Sequence, residues 1–187
     1  MTLSLDTVLL SAPDVAEART FYRSALSPTV TDECAAADLD MHGAGRFAVA
    51  PAETLATNAG AGQATSGFRG YVLSYVLTQP TGVRTVREEA VRGGANTLKP
   101  AKKALFGSYS AVFRAPDGSV WKLAASTGED TGPAATSPRP TETTLILGVR
   151  DPKTAKTFYE ALGMRTDRDY GSKYVDFHPA DGAAGSV

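Results

Sequence analysis

The residues that could do chemistry are few in this sequence. The chain has two histidines, His42 and His178, and each follows an aspartate two positions earlier, Asp40 or Asp176. Because residues two apart on a strand share a face, each Asp-x-His pair could hold a metal ion, although two ligands fall short of the usual three or four. We favour the alternative interpretation, a polar strand end.

The single cysteine, Cys34, has no adjacent motif that would make it a nucleophile, and a small apolar residue is the simpler interpretation. One cysteine excludes a disulfide within the chain, which favours a reducing compartment, and we expect a cytoplasmic protein. The sequence has no nucleophile elbow, P-loop or dinucleotide-binding fingerprint. It also has no basic N-terminal segment followed by a long apolar run, so it predicts neither a signal peptide nor a membrane span.

The overall charge is nearly balanced, with 19 Lys and Arg against 20 Asp and Glu, so neither nucleic acid nor an anionic membrane is predicted as a partner. The densest basic cluster, Lys99, Lys102 and Lys103, is interpreted as a solvated loop, the alternative being a lip that attracts anions. The length of 187 residues, 42% of them apolar, suits one domain plus a remainder, or two small domains.

The elements that must position these residues follow a repeated pattern, which is most complete in residues 68–124. This stretch predicts a strand, a helix and three strands, a βαβββ module. The helix is predicted over 82–91, with Thr81 as its N-cap and Gly93-Gly94 as its end. The strands are predicted at 71–77, 97–99, 108–114 and 120–124, the last two joined by a Pro-Asp-Gly turn.

The first strand and helix of this module recur at two other places in the sequence. Aligning Asp14 with Asp151 also aligns Thr7 with Thr144, and it places a Phe-Tyr pair at the same point of each helix. Since each copy of a repeated unit buries its apolar face against another copy, we expect the modules to pack together. The predicted elements are strands at 5–11, 37–41 and 46–50 with a helix at 15–26, and a strand at 144–149, a helix at 153–162 and further pieces at 165–170 and 173–178.

These patterns predict one paired domain followed by a remainder. Residues 1–126 form the domain, with module one at 3–57 and module two at 68–125. A linker rich in Pro, Gly, Ser and Thr covers 127–140. Residues 141–187, here called module three, are predicted to be an incomplete βαβββ unit, since the tail has no sequence typical of a fourth strand.

The Phe-Tyr helix, together with a module that closes on Ala-Pro-Asp-Gly-Ser-Val-Trp-Lys-Leu at 115–123, resembles the vicinal oxygen chelate superfamily. This superfamily includes glyoxalase I, extradiol dioxygenases and bleomycin-resistance proteins. The resemblance implies an α+β fold in which two paired modules form a cupped, eight-stranded mixed sheet with flanking helices. It is specific for the fold and not for the activity, because one scaffold hosts many functions.

Catalytic members of the superfamily hold a metal ion in the cup on His, Gln or Glu side chains from the first and last strands. Carried over, these positions fall on Thr7, Val72 and Lys122, and on Thr144 in module three. Threonine and valine are poor ligands for such metals, and an ammonium group repels a cation. The resemblance therefore implies a cup without the metal, and we expect no other cofactor.

Lys122 is the most informative of these positions. Trp121 and Leu123 are predicted to face the helices, which turns Lys122 into the cup, where it could bind an anion or, with a pKa lowered by burial, act as a nucleophile. The alternative is a side chain that extends to the rim. The predicted ligand-binding residues are Thr7, Leu9, Val72, Ser74, Tyr109 and Lys122, with Tyr75, Phe106 and Phe113 as further aromatic walls or as core.

The sequence thus predicts a metal-independent, glyoxalase/bleomycin-resistance-like protein that binds a small, largely apolar or aromatic ligand. The alternative is a glyoxalase-type lyase or related enzyme in which Lys122 is catalytic in place of a metal. A purely structural interaction module is a third interpretation. The unpaired module three further predicts a homo-oligomer that associates through residues 141–178.

Overall fold

The structure is a computed structural model, and it describes residues 5–33, 36–62, 68–103, 109–178 and 185–186. It is an α+β structure with mixed sheets and flanking helices, as predicted. The described residues contain no helix long and apolar enough to cross a membrane. The elements are β1 (Thr7–Ala12), α1 (Val15–Leu26), β2 (Thr29–Glu33), β3 (Ala36–Asp40), β4 (Arg46–Pro51), α2 (Ala52–Asn58), β5 (Tyr71–Leu77), α3 (Pro80–Arg92), β6 (Asn96–Lys103), β7 (Tyr109–Arg114), β8 (Val120–Ala125), β9 (Glu142–Leu147), α4 (Pro152–Ala161), β10 (Thr166–Asp169), β11 (Val175–Phe177) and β12 (Gly185–Ser186).

The sheets differ from the expected pairing of modules one and two. The described strands form a four-stranded sheet, β1-β4-β3-β2, a six-stranded sheet, β12-β9-β5-β8-β7-β6, and a separate β10-β11 hairpin. No single eight-stranded sheet is present among them. The physical reason is that β5 pairs along its outer edge with β9 of module three, antiparallel from Tyr71 opposite Leu147 to Val76 opposite Glu142.

Module three also has a short fourth strand, contrary to the sequence prediction. The two-residue β12 pairs parallel with β9, in the way that β4 pairs with β1 and β8 pairs with β5. The last strand of each module therefore lies beside its first. Two residues carry too little alternation to be recognised as a strand from sequence.

Modules one and two share one hydrophobic core, in which α1 packs on α3. Asp14 caps α1 by accepting a hydrogen bond from the Glu17 amide at 2.9 Å. The buried stripe of α1 includes Phe21 and Tyr22, as the helical spacing predicts. Across the interface, the ring of Phe47 lies 5.4 Å from that of Trp121, so the two modules pack face to face through their apolar sides.

The start of α3 differs from the prediction that Thr81 is its N-cap. The helix begins at Pro80, and Gln79 occupies the N-cap position without a capping side chain. The linker supplies the missing acceptor, because Asp130 Oδ1 accepts a hydrogen bond from the Thr81 amide at 2.6 Å. Gln79 also accepts from the Thr131 amide at 2.9 Å, so the linker is held against the end of this helix.

Three further segments differ from the sequence prediction. Strand β2 and helix α2 were not predicted, the second because its Ala- and Thr-rich sequence is typical of a connection. Strand β6 extends to Lys103, so the lysine cluster lies on an exposed edge strand and not in a loop. Lysines on an edge discourage pairing with other chains, which explains their place in a strand.

Module one contacts β9 through its turn at Ala44-Gly45. The Thr143 amide donates to the Ala44 carbonyl oxygen at 3.0 Å, and the Thr143 hydroxyl donates to the same oxygen. Gly45 has φ +142°, and a Cβ there would lie 1.8 Å from Thr143 Oγ1. Only glycine permits this approach, so the turn helps to fix β9 beside β5.

Candidate functional site

A cavity of about 860 Å³ lies between the six-stranded sheet and module three. Side chains of β8, β5 and β9 line one side, and α4 with the β10-β11 hairpin lines the other. The sheet side includes Ser74, Val76, Lys122, Ala124, Thr144 and Ile146. The opposite side includes Tyr159, Arg168, Lys173, Tyr174 and Asp176.

The floor of this cavity contains a polar row across three adjacent strands. Ser74 of β5 lies opposite Lys122 of β8 on one side and opposite Thr144 of β9 on the other. Neighbouring strands are about 4.8 Å apart, so these side chains are direct neighbours. Trp121 and Leu123 are fully buried on the other face of β8, which confirms the predicted orientation of Lys122.

The polar atoms of Ser74 and Lys122 have no partner in the described part of the chain. Ser74 is only 5% exposed, yet none of the described residues forms a hydrogen bond with its hydroxyl. Lys122 likewise forms no ion pair with any carboxylate in the described part of the chain. Because both side chains line the cavity, their polar groups are available to a bound molecule.

The opposite wall is charged, but its charges are largely paired. Lys156 Nζ lies 2.7 Å from Asp169 Oδ2, and Arg168 Nε lies 3.0 Å from Asp176 Oδ2. The hydrogen bond from Lys156 lowers the pKa of the Asp169 carboxyl. Burial raises the pKa of Asp176, and the nearby charge of Arg168 opposes that shift. These ion pairs hold the charged side chains of that wall in place.

Of the six predicted ligand-binding residues, the structure brings two, Ser74 and Lys122, into the cavity. Thr7 and Leu9 lie on β1 in the other sheet, where the Thr7 hydroxyl donates to Asp6 and Leu9 is 45% exposed. Val72 lies one row beyond Ser74, opposite Ile146. These positions follow from the pairing of β5 with β9 in place of β1.

The predicted aromatic walls lie mostly in the core. Tyr109 is on the helix side of β7, with the Arg84 guanidinium 5.6 Å from the centre of its ring. Tyr75 and Phe113 are fully buried, and the Tyr75 hydroxyl donates to the Leu26 carbonyl oxygen at 3.0 Å. Phe106 and Cys34 lie outside the described residues.

Sequence reasoning missed the contribution of module three to the cavity. Thr144, Tyr159 and Tyr174 line it, and none of them was among the predicted ligand-binding residues. The repeat was the signal that could have indicated this contribution. The alignment of Asp14 with Asp151 makes β9 equivalent to β1, so either strand could pair with β5.

The two histidines are engaged by other groups. His42 Nε2 lies 2.8 Å from the Ser27 carbonyl oxygen, and His178 Nε2 lies 3.8 Å from Asp167 Oδ1. The partner aspartate of His178, Asp176, pairs with Arg168. In the ranges that the structure describes, no group of three or more His, Cys, Asp or Glu side chains is placed to hold a metal ion.

Comparison with known proteins finds the fold in solved structures. A glyoxalase/bleomycin resistance protein/dioxygenase family enzyme from Burkholderia phytofirmans is 18% identical, with a TM-score of 0.60 over 67% of this chain and 100% of its own. A glyoxalase-related enzyme from Fulvimarina pelagi is also 18% identical, with a TM-score of 0.57 over 70% and 98%. A mutant of a fosfomycin resistance protein from Listeria monocytogenes, in complex with manganese(II) and dihydroxypropylphosphonic acid, is 15% identical, with a TM-score of 0.54 over 68% and 93%.

These neighbours are vicinal oxygen chelate proteins, so the resemblance predicted from the Phe-Tyr and Pro-Asp-Gly motifs is confirmed for the fold. Each neighbour matches about two thirds of this chain, which is the share that two of three modules would occupy. No family model matches the sequence, and no curated protein is significantly similar to it.

Proposed function

We propose that this protein binds a small, largely apolar or aromatic molecule in the cavity between modules two and three. The observation that carries the proposal is the cavity itself, whose volume of about 860 Å³ lies in the range typical of small-molecule pockets. Its floor combines the apolar side chains of Val76, Ala124 and Ile146 with the polar row of Ser74, Lys122 and Thr144. Such a lining binds an apolar body and orients one polar group.

We further propose that the cup expected of the fold is completed by module three. Strand β9 joins β5 antiparallel, and the β10-β11 hairpin lies across the cavity from the floor. In this arrangement α4 and the β10-β11 hairpin supply the second wall, and module one packs against module two through the shared core. The cup would then consist of modules two and three in place of modules one and two.

Binding without a resident metal is the second part of the proposal. The Listeria neighbour was solved with manganese(II), so the fold is compatible with a metal site. In this chain the positions to which the family resemblance assigns metal ligands hold Thr7, Val72, Lys122 and Thr144. An ammonium group donates hydrogen bonds, has no lone pair for a metal while it is charged, and repels a cation. The residues present therefore do not fit a metal ion.

The alternative function is a glyoxalase-type lyase or related enzyme that uses Lys122 as its catalytic group. The observation that favours it is that Lys122 lines a cavity beside the Ser74 hydroxyl, where a neutral amine can attack the carbonyl carbon of a bound substrate. Incubation with small aldehydes and borohydride would then leave a stable adduct on Lys122, detectable by mass spectrometry. Absence of any adduct, with no turnover lost in Lys122→Ala, would leave the binding function alone.

We also propose that the protein forms a homo-oligomer through module three and acts in the cytoplasm. Phe158 of α4 is 58% exposed, whereas Phe21, its equivalent in α1, is 3% exposed. Leu162, one turn further, is also exposed. Helix α1 covers its stripe by packing on α3, so a second copy of this chain is the proposed cover for α4.

The experiment that tests the binding function is a thermal-shift screen of small aromatic compounds on the native protein and on Val76→Trp, which fills the cavity. Compounds that raise the melting temperature of the native protein are expected to lose that effect in Val76→Trp. Val91→Trp is the matched control, because Val91 is an exposed apolar residue of α3 and does not line the cavity. Binding that survives in Val76→Trp would place the ligand elsewhere and refute the proposal.

A further inference from the structure

The floor of the cavity indicates the chemical class of the ligand. Resting on the proposed function, we infer that the ligand carries a single oxyanion, a carboxylate or sulfonate, which Lys122 and Ser74 hold at the floor beneath an apolar body. The inference goes beyond an apolar pocket because it assigns a charge, a position and two donors to the bound molecule.

The first line of argument is the state of the two donors. Ser74 is 95% buried, as its exposure of 5% shows, and its hydroxyl has no hydrogen-bond partner among the described residues. Lys122, its cross-strand neighbour, has no carboxylate partner there either. A lysine ammonium has donors alone, and a hydroxyl can donate as well, so the two together suit an acceptor with more than one oxygen. An oxyanion is such an acceptor, and hydrogen bonds to a charged group are the stronger ones.

The second line of argument is the charge around the cavity. The Lys156 and Arg168 cations on the opposite wall are each paired with an aspartate. This leaves two lysines of the lining, Lys122 and Lys173, for which the described part of the chain offers no ion-pair partner. These two ammonium groups give their part of the cavity a positive potential, which attracts an anion and repels a cation.

The third line of argument is the placement of Glu142 relative to the floor. Glu142 lies opposite Val76, one row away from Ser74, and its carboxylate accepts a hydrogen bond from the Thr144 hydroxyl at 2.9 Å. A bound anion would be repelled from that row and held at the Lys122 side of Ser74. The apolar body then lies over Val76, Ala124 and Ile146, which carry no charge.

The test compares two fluorescent probes of similar shape, the anion anilinonaphthalene sulfonate and the neutral N-phenylnaphthylamine. Both are titrated into the native protein and into Lys122→Met, which keeps the length of the side chain and removes its charge. We expect the affinity for the sulfonate to fall about tenfold in Lys122→Met, because a charge-assisted hydrogen bond is lost. The affinity for the neutral probe should stay within about twofold of the native value. Lys103→Met is the matched control, because Lys103 pairs with Glu129 on the surface away from the cavity.

Further measurements separate this inference from the proposed function. Ser74→Ala should also lower the affinity for the sulfonate probe and leave the affinity for the neutral probe unchanged. Higher salt should lower the affinity for the sulfonate more than the affinity for the neutral probe. If both probes bind and Lys122→Met lowers neither affinity, or lowers both equally, the oxyanion inference is wrong and the proposed binding cavity is unaffected. If neither probe is displaced by the filling substitution Val76→Trp, the cavity does not bind ligands, and the proposed function falls together with this inference.

Discussion

The hydroxyl of Tyr22 donates a hydrogen bond to Asp117 Oδ2 over 2.6 Å, between residues 95 positions apart. The other carboxylate oxygen of Asp117 accepts from the amide and the hydroxyl of Ser119, at 2.8 and 2.7 Å. Trp121 Nε1 donates to the Ser119 hydroxyl at 2.9 Å. The Phe-Tyr helix of module one and the Pro-Asp-Gly turn of module two are thus joined by one buried polar network, whose members support one another in a low-dielectric interior.

Tyr22→Phe should therefore destabilise the fold beyond the loss of one contact. Removing the hydroxyl of Tyr22 leaves a buried oxygen of Asp117 without its donor, which costs about 1–3 kcal/mol. The free energy of unfolding, measured by urea denaturation, should fall by that amount. The matched control is Tyr159→Phe, the equivalent position in module three, whose hydroxyl has no hydrogen bond with a described residue; its effect should stay within about 0.5 kcal/mol. Equal losses in the two variants would contradict the network.

The burial of the Tyr22 hydroxyl also makes the stability of the fold depend on pH. Burial, together with the negative charge of Asp117, raises the pKa of Tyr22 well above its ordinary value, and burial raises the pKa of Tyr75. An unfolded tyrosine ionises at about pH 10, whereas these two stay protonated in the folded protein. Their contribution is therefore fully present below about pH 10 and is lost as the pH rises further, by up to about 1.4 kcal/mol per pH unit for each group.

Urea denaturation between about pH 9 and pH 11 checks this prediction. The native protein should lose stability steeply in the part of that interval above about pH 10. Tyr22→Phe and Tyr75→Phe should each start from a lower stability and show a shallower slope, because one titrating group has been removed. A native slope in Tyr22→Phe would mean that this phenol ionises equally readily in both states.

The parts of the fold that the sequence predicted are those determined locally. Helix α1 has the bounds predicted from its Asp14 cap and its apolar stripe, because both signals lie within the helix. The orientation of Lys122 followed from strand alternation and the burial of Trp121. These inferences need no knowledge of what lies across the interface.

The parts that the sequence did not predict depend on contacts distant along the chain. Helix α3 takes its cap from Asp130, and β5 takes β9 as its neighbour where β1 was the equally plausible alternative. The contact of Gly45 with Thr143, which helps to fix that choice, joins two modules. Because the candidate cavity forms between modules two and three, an error in strand pairing moved Thr7 and Leu9 out of it.

The proposed metal-independence of the cup predicts the outcome of a simple measurement. The protein, purified without a tag and without chelator, should contain no stoichiometric metal. Zinc, nickel, manganese and iron should leave its melting temperature unchanged, because the positions to which the family resemblance assigns metal ligands hold Val72, Lys122 and Thr144. Lys122→Glu restores a carboxylate at the cavity floor and is the informative comparison. One tightly held metal ion per native chain would contradict the prediction and give His42 or His178 a new role.

Self-association through α4 should be the property most sensitive to the exposed stripe of module three. Phe158→Ser combined with Leu162→Ser removes the large apolar side chains of that stripe and replaces them with polar ones. In sedimentation experiments over a range of concentrations, the native protein should associate and the double variant should remain a monomer, because the buried apolar area that drives association is lost. Leu98→Ser is the control, since Leu98 is an exposed apolar residue of the edge strand β6. A native protein that is monomeric at every concentration would mean that α4 is not covered by a second copy. Association that persists in the double variant would place the contact on another surface, and the open edge of the four-stranded sheet would be the next to examine.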